Sequence, residues 1–147
     1  MFETIHYFFE FSKLNKIYLC YNLTMQMLII SLVALSSIFI LNLIVGMYHG
    51  FGYRHYWFFQ LEHVLGGFFV AMFFGSFTDS WAAVLIGLGI ISIVWEATEY
   101  AVAKVPSLAN YIKKKLRLKN LKYSWADTVF DLVCNYAGAI LLLCLLK

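Results

Sequence analysis

The chain has 147 residues, of which 63% are apolar and 13% charged, with a net charge of +3 and a mean hydropathy of +0.78. Soluble domains carry about 25% charged residues, and nothing charged falls between Lys16 and Arg54, so a water-soluble core is excluded. A membrane β-barrel is excluded too, because it needs alternating segments of about ten residues and these apolar runs are continuous.

The class expected is therefore all-α: one polytopic membrane domain, a four-helix bundle preceded by an interfacial helix. Residues 2–20 read as that amphipathic helix. Glu3, His6, Glu10 and Lys13 recur at spacings of three, four and three, a single polar stripe, while Phe2, Phe8, Phe9, Phe11 and Tyr18 fill the other surface. Such a helix lies in the interface plane. Its acids, and the length of the apolar run behind it, speak against a cleaved signal. The first span, 25–47, has Asn42 as its only strongly polar residue. An aromatic loop follows over 48–56, and its His49, His55, Tyr53 and Tyr56 suit the headgroup level.

The second span, 57–77, carries Glu62 and His63. His63, Gly67, Ala71 and Gly75 recur every four residues and share a helix face; small residues in that register let a neighbouring helix approach. A tight turn, Thr78-Asp79-Ser80, leads to the third span, 81–103, where Gly89, Ser92, Glu96, Glu99 and Ala103 again share one face. Residues 104–124 form a basic loop with Lys104, Lys113, Lys114, Lys115, Arg117, Lys119 and Lys122. Leu108, Tyr111, Ile112 and Leu116 are spaced for a short amphipathic helix within it, and its lysines would meet anionic headgroups. The fourth span, 125–146, opens with Asp127, Asp131, Asn135 and Gly138 on one face. Cys20, Cys134 and Cys144 are too scattered for a zinc motif or a disulfide framework and read as small packing residues.

Four spans place the first and third loops on one side, with the basic residues. The positive-inside rule then sets the long loop in the cytoplasm and both termini outside. On that frame His63 begins its span, Glu96 and Glu99 end theirs, and Asp127 and Asp131 begin theirs. At 1.5 Å per residue all lie roughly 3–15 Å below one interface. Ionisable groups at such depth are costly and mark functional sites unless well paired. Four carboxylates cannot all stay ionised together in low dielectric; either protons or a cation must neutralise them. Glu96/Glu99 at i,i+3 and Asp127/Asp131 at i,i+4 set oxygens side by side. With His63 they would suit one divalent ion such as Mg²⁺, Mn²⁺, Fe²⁺ or Zn²⁺. Asn135 is expected to support the set. Gly67, Ala71, Gly75, Gly89 and Gly138 are expected at helix contacts, and their small faces would permit a homo-oligomer.

The order His63, Gly66-Gly67, Trp95-Glu96-x-x-Glu99, Asp127-Thr128-x-x-Asp131-x-x-x-Asn135-x-x-Gly138-Ala139 resembles the VanZ-like and YjdF-like families of small bacterial membrane proteins, over about residues 56–142. That resemblance implies a multi-pass protein of a bacterial inner membrane with an envelope-related role. Members often carry an aspartate four residues before the histidine. Here that position is Phe59, followed by Gln60, with Glu62 beside the histidine.

Three functions follow from the pattern. A metal held by the acids would act on a lipid or lipid-linked phosphate, with His63 or Glu62 as ligand or general base. A buried His/Glu/Asp chain would serve a small transporter or proton relay. Or the polar groups would only tie the bundle together across helices. Nothing in the chain points to nucleic acid.

Overall fold

The computed structural model describes the backbone of residues 2–116 and 124–146, and the side chains of 21–115 and 124–146. The polar stripe expected on 2–20, and Arg117, Lys119 and Lys122 of the basic loop, lie outside the described side chains. Helices run α1 Phe2–Leu41, a π-helical stretch Asn42–Tyr48, α2 Phe51–Arg54, α3 Trp57–Gly75, α4 Trp81–Lys104, α5 Pro106–Leu116 and α6 Trp125–Leu145. No strand occurs among the described residues. Four stretches are long and apolar enough to cross a membrane: Tyr21–Tyr48, Trp57–Gly75, Trp81–Lys104 and Trp125–Leu145.

One boundary differs from expectation. The backbone of 2–20 is not a separate helix; it continues into the first apolar stretch as α1. No proline or glycine precedes Gly46, so nothing in the chain interrupts the hydrogen-bond ladder. The ladder loosens only at Asn42, where the i→i+5 pattern begins, and His49 N donates to Ile44 O at 3.0 Å. Gly50, at φ 68°, then turns the chain into α2.

Helix α3 is the centre of the bundle. Its most extensive contact is with α6, followed by α1 and α4. Small residues make the α3–α6 seam. A Cβ on Gly67 would overlap the Asn135 carbonyl, and one on Gly138 would overlap the Val64 carbonyl. The two backbones therefore touch directly, as small-residue registers allow. Ala71, Val84, Leu88, Ala139 and Leu142 close the core beyond this seam. Gly89 faces the Tyr136 hydroxyl, which donates to Leu85 O at 3.3 Å. Gly75, expected at a helix contact, meets no neighbouring atom. The Gly67/Ala71 face is thus consumed inside the chain.

The outer faces are apolar on the first, third and fourth long stretches, where Val33, Ile86, Ile93, Val133 and Leu145 are each more than half exposed, and on the second Leu61 and Leu65 are partly exposed. A shell of that kind is what surrounding hydrocarbon would cover. Helices α1 and α4 barely approach one another. A T-shaped contact between Phe39 and Trp95, with centroids 6.1 Å apart, bridges the gap between them.

Candidate functional site

The polar residues meet where α3 and α6 begin and α4 ends. Helices α3 and α6 run parallel, so their partners keep a nearly constant offset. Tyr56 donates its hydroxyl to Asp127, Gln60 Nε2 donates to Asp131 Oδ1 at 2.8 Å, and His63 Nε2 lies 3.5 Å from Asp131 Oδ2. Helix α4 runs the other way. Its Glu96 stands beside the Thr128 hydroxyl, and Asn135 Nδ2 donates to the Ser92 hydroxyl at 3.2 Å.

His63, Glu96 and Asp131 each present one ligand atom, all within 4.8 Å of one another. Ligands on a shared ion stand about 2.0–2.2 Å from it, so small side-chain rotations would close the three around one metal. Glu96 is 6% exposed and Asp131 5%, which removes water as the solvating partner. Glu96 Oε1 is fully buried and has no hydrogen-bond partner among the described residues. An orphaned buried carboxylate oxygen calls for an ion or a proton. Gln60 holds the free oxygen of Asp131, so the aspartate presents its other oxygen to His63. This is the kind of orienting contact that ligands of a metal centre usually carry.

The other expected site residues are placed around this triad but point elsewhere. Glu99, one turn nearer the bundle end, accepts from Trp95 Nε1 at 2.9 Å. Asp127 is taken by Tyr56. Glu62 points to the opposite neighbour, accepting from Asn42 Nδ2 at 2.7 Å, and leaves Oε1 buried without a partner among the described residues. Asn135 sits one layer deeper, against Ser92. His49 and His55 pack against Tyr48 and Phe51 in the aromatic loop and take no part in the triad. Phe59, where the resembled families carry an aspartate, is a packing residue: its ring covers Gly46 and Gly52 and meets Tyr53 edge-on at 5.7 Å.

Two cavities adjoin the triad. A chamber of about 330 Å³ is lined by Tyr53, Tyr56, Glu99, Asp127 and Asp131 among others, and reaches Ile112 of α5. A narrower cleft of about 170 Å³ runs deeper between α1, α3 and α4, lined mainly by apolar side chains. Phe39, Asn42, His63 and Trp95 line both. At the mouth, the Tyr53 phenol lies above its ordinary range, chiefly through burial of the hydroxyl and then through the charge of Glu99. Burial, and then the bond to Asp127, raise Tyr56 in the same direction. Both hydroxyls remain neutral donors at physiological pH.

Gln60, Tyr56, Thr128 and Ser92 belong to the site, although as single residues they carry no chemical signal. Tyr56, Gln60, His63 and Gly67 fall at spacings of four, three and four, so extending the His63 face toward its N-terminus would have found the first two. In comparisons with protein-family models, curated proteins and solved structures, nothing matches this chain.

Proposed function

We propose that the chain is a multi-pass membrane protein in which His63, Glu96 and Asp131 hold one divalent ion that acts on the phosphate of a lipid or lipid-linked substrate. The observation that carries this reading is the convergence of ligand atoms of His63, Glu96 and Asp131 within 4.8 Å of one another, together with a buried Glu96 oxygen that no described residue bonds. Three protein ligands leave a position open to substrate, as in catalytic metal sites. Bound there, a divalent ion would polarise a phosphoryl oxygen or activate water. His63 and Asp131 serve as neighbouring ligands, and Gln60 fixes Asp131. Glu99 and Asp127 stand at the chamber wall.

The reading includes an orientation. Arg54 precedes α3, Lys104 ends α4 and Lys113–Lys115 end α5, the same helix ends that carry the polar residues, which supports placing that end in the cytoplasm of a bacterial inner membrane. Lys113, Lys114 and Lys115 occupy the last turn of α5, where cations suit both the helix dipole and anionic headgroups. The resemblance to VanZ-like and YjdF-like proteins belongs to the same proposal.

Thermal unfolding of the detergent-purified protein tests it. Chelation should lower the midpoint, and returning Mg²⁺, Mn²⁺, Fe²⁺ or Zn²⁺ should restore it for at least one ion. Glu96→Gln and Asp131→Asn should lose that response. A midpoint indifferent to chelator and to every ion, in parent and variants alike, would contradict the metal reading.

A further inference from the structure

The chamber and the cleft adjoin at Phe39, Asn42, His63 and Trp95, and they differ in chemistry. The chamber holds three carboxylates, Glu99, Asp127 and Asp131, and five aromatic rings, Phe39, Tyr53, Tyr56, Phe59 and Trp95. Its lining includes no lysine or arginine among the described residues. With Asp131 and Glu96 engaged by a divalent ion, Glu99 and Asp127 remain as two further carboxyl groups on the chamber wall. Carboxylates ringed by aromatic faces are the surroundings that bind ammonium groups. The cleft differs: Leu35, Ile38, Val70, Leu88 and Ile91 make most of its wall apolar, with Asn42, Glu62, Ser92 and Asn135 as its polar positions beside His63. It lies between α1 and α4, which meet little beyond the Phe39–Trp95 contact, and Phe39 and Ile91 on its wall are 48% and 46% exposed on the outer surface. Gly66 is on its wall, and a Cβ there would meet nothing.

We infer that this space binds a phospholipid whose headgroup carries an ammonium, entering sideways between α1 and α4 with an acyl chain in the cleft and the ammonium among Glu99, Asp127, Tyr53 and Tyr56. The phosphate, between head and chain, then falls beside His63, which lines both cavities. That last contact rests on the metal reading above; the ammonium and chain contacts do not. The charge of the chamber disfavours a purely anionic lipid, because its extra negative groups would face Glu99 and Asp127 with no described cation in the wall.

Native mass spectrometry of the full chain in detergent tests this, with phosphatidylethanolamine and phosphatidylglycerol of identical acyl chains in equal amounts. The expected result is one retained phosphatidylethanolamine per chain, preferred roughly tenfold, the scale of a single ammonium contact with a ring or carboxylate. Glu99→Gln should narrow that preference. Gly66→Leu should remove binding of both lipids while melting no lower than the parent, since leucine has open space there and favours helix. Equal retention of the two lipids, a preference for phosphatidylglycerol, or a Gly66→Leu variant that binds like the parent would overturn the inference. Repeating the measurement after chelation separates it from the metal reading. A preference unchanged by chelator supports the cleft and counts against a metal-bound phosphate, whereas weaker retention of both lipids supports both.

Discussion

Gly67 and Gly138 set the spacing on which the site depends. Each lies against a backbone carbonyl of the facing helix, so an added methyl has no flexible side chain to displace. Gly67→Ala and Gly138→Ala should each destabilise the protein by about 1–3 kcal/mol through overpacking. Gly75→Ala meets open space and should be neutral or stabilising by up to about 1 kcal/mol through helix propensity. Equal effects in denaturation by mixed detergent would contradict the seam described. Gln60 is the second residue of consequence. Gln60→Ala leaves the buried Asp131 Oδ1 and the Cys134 thiol without their partner, a loss of about 1–3 kcal/mol, and it should weaken metal binding through the freed aspartate. Glu62 provides the contrast. It faces Asn42 on the α1 side of α3, so Glu62→Gln should bind metal like the parent. A Glu62→Gln variant without metal would restore Glu62 to the chemistry. These side-chain directions were only partly readable from spacing. The i,i+3 pair Glu96/Glu99 does share a face, but the indole of Trp95 takes Glu99, and no periodicity encodes that bond. Glu62 and His63 are neighbours in sequence and so stand about 100° apart around the helix; this explains why one enters the triad and the other turns to α1.

At the scale of elements, the four long apolar helices could be read from uncharged runs, because a spanning helix must satisfy its own backbone and tolerates few charges. The last three stretches keep their expected bounds to within two residues, the second shifting from 57–77 to Trp57–Gly75, and the first ends at Tyr48 where 47 was expected. The continuity of α1 was hidden, because a polar stripe over 2–20 has the same pattern whether the helix breaks after it or not. The π-helical stretch was hidden as well. It begins at Asn42, whose side chain reaches Glu62, and π-bulges are common at functional sites. Gly52 sits under the Phe59 ring at the turn that follows. Gly52→Ala should displace that ring into the chamber, and lowered lipid retention with metal content unchanged is the expected readout.

For the whole molecule, parallel α3 and α6 with antiparallel α4 bring three separate stretches of sequence to one depth. The convergence could be anticipated from chain order, since alternate helix ends share a side in an up-down bundle. The order of layers could not, because it depends on the glycine seam that fixes α3 against α6. Orientation gives a prediction at the same scale. Single cysteines at Asn110 and at Asp79, in a background with the natural cysteines replaced, should label from opposite sides in intact cells. Asn110 should be protected from an impermeant maleimide and Asp79 should react. The reverse pattern would place the chamber on the outer side and remove the cytoplasmic leaflet as the source of substrate.

Whether His63, Glu96 and Asp131 hold an ion is decided by elemental analysis of the purified protein beside Glu96→Gln. One divalent ion per chain in the parent, absent from a folded Glu96→Gln variant, is the predicted result. A parent with no stoichiometric metal after growth and purification in each of Mg²⁺, Mn²⁺, Fe²⁺ and Zn²⁺ would contradict it, and would leave a proton as the partner of the buried Glu96 oxygen.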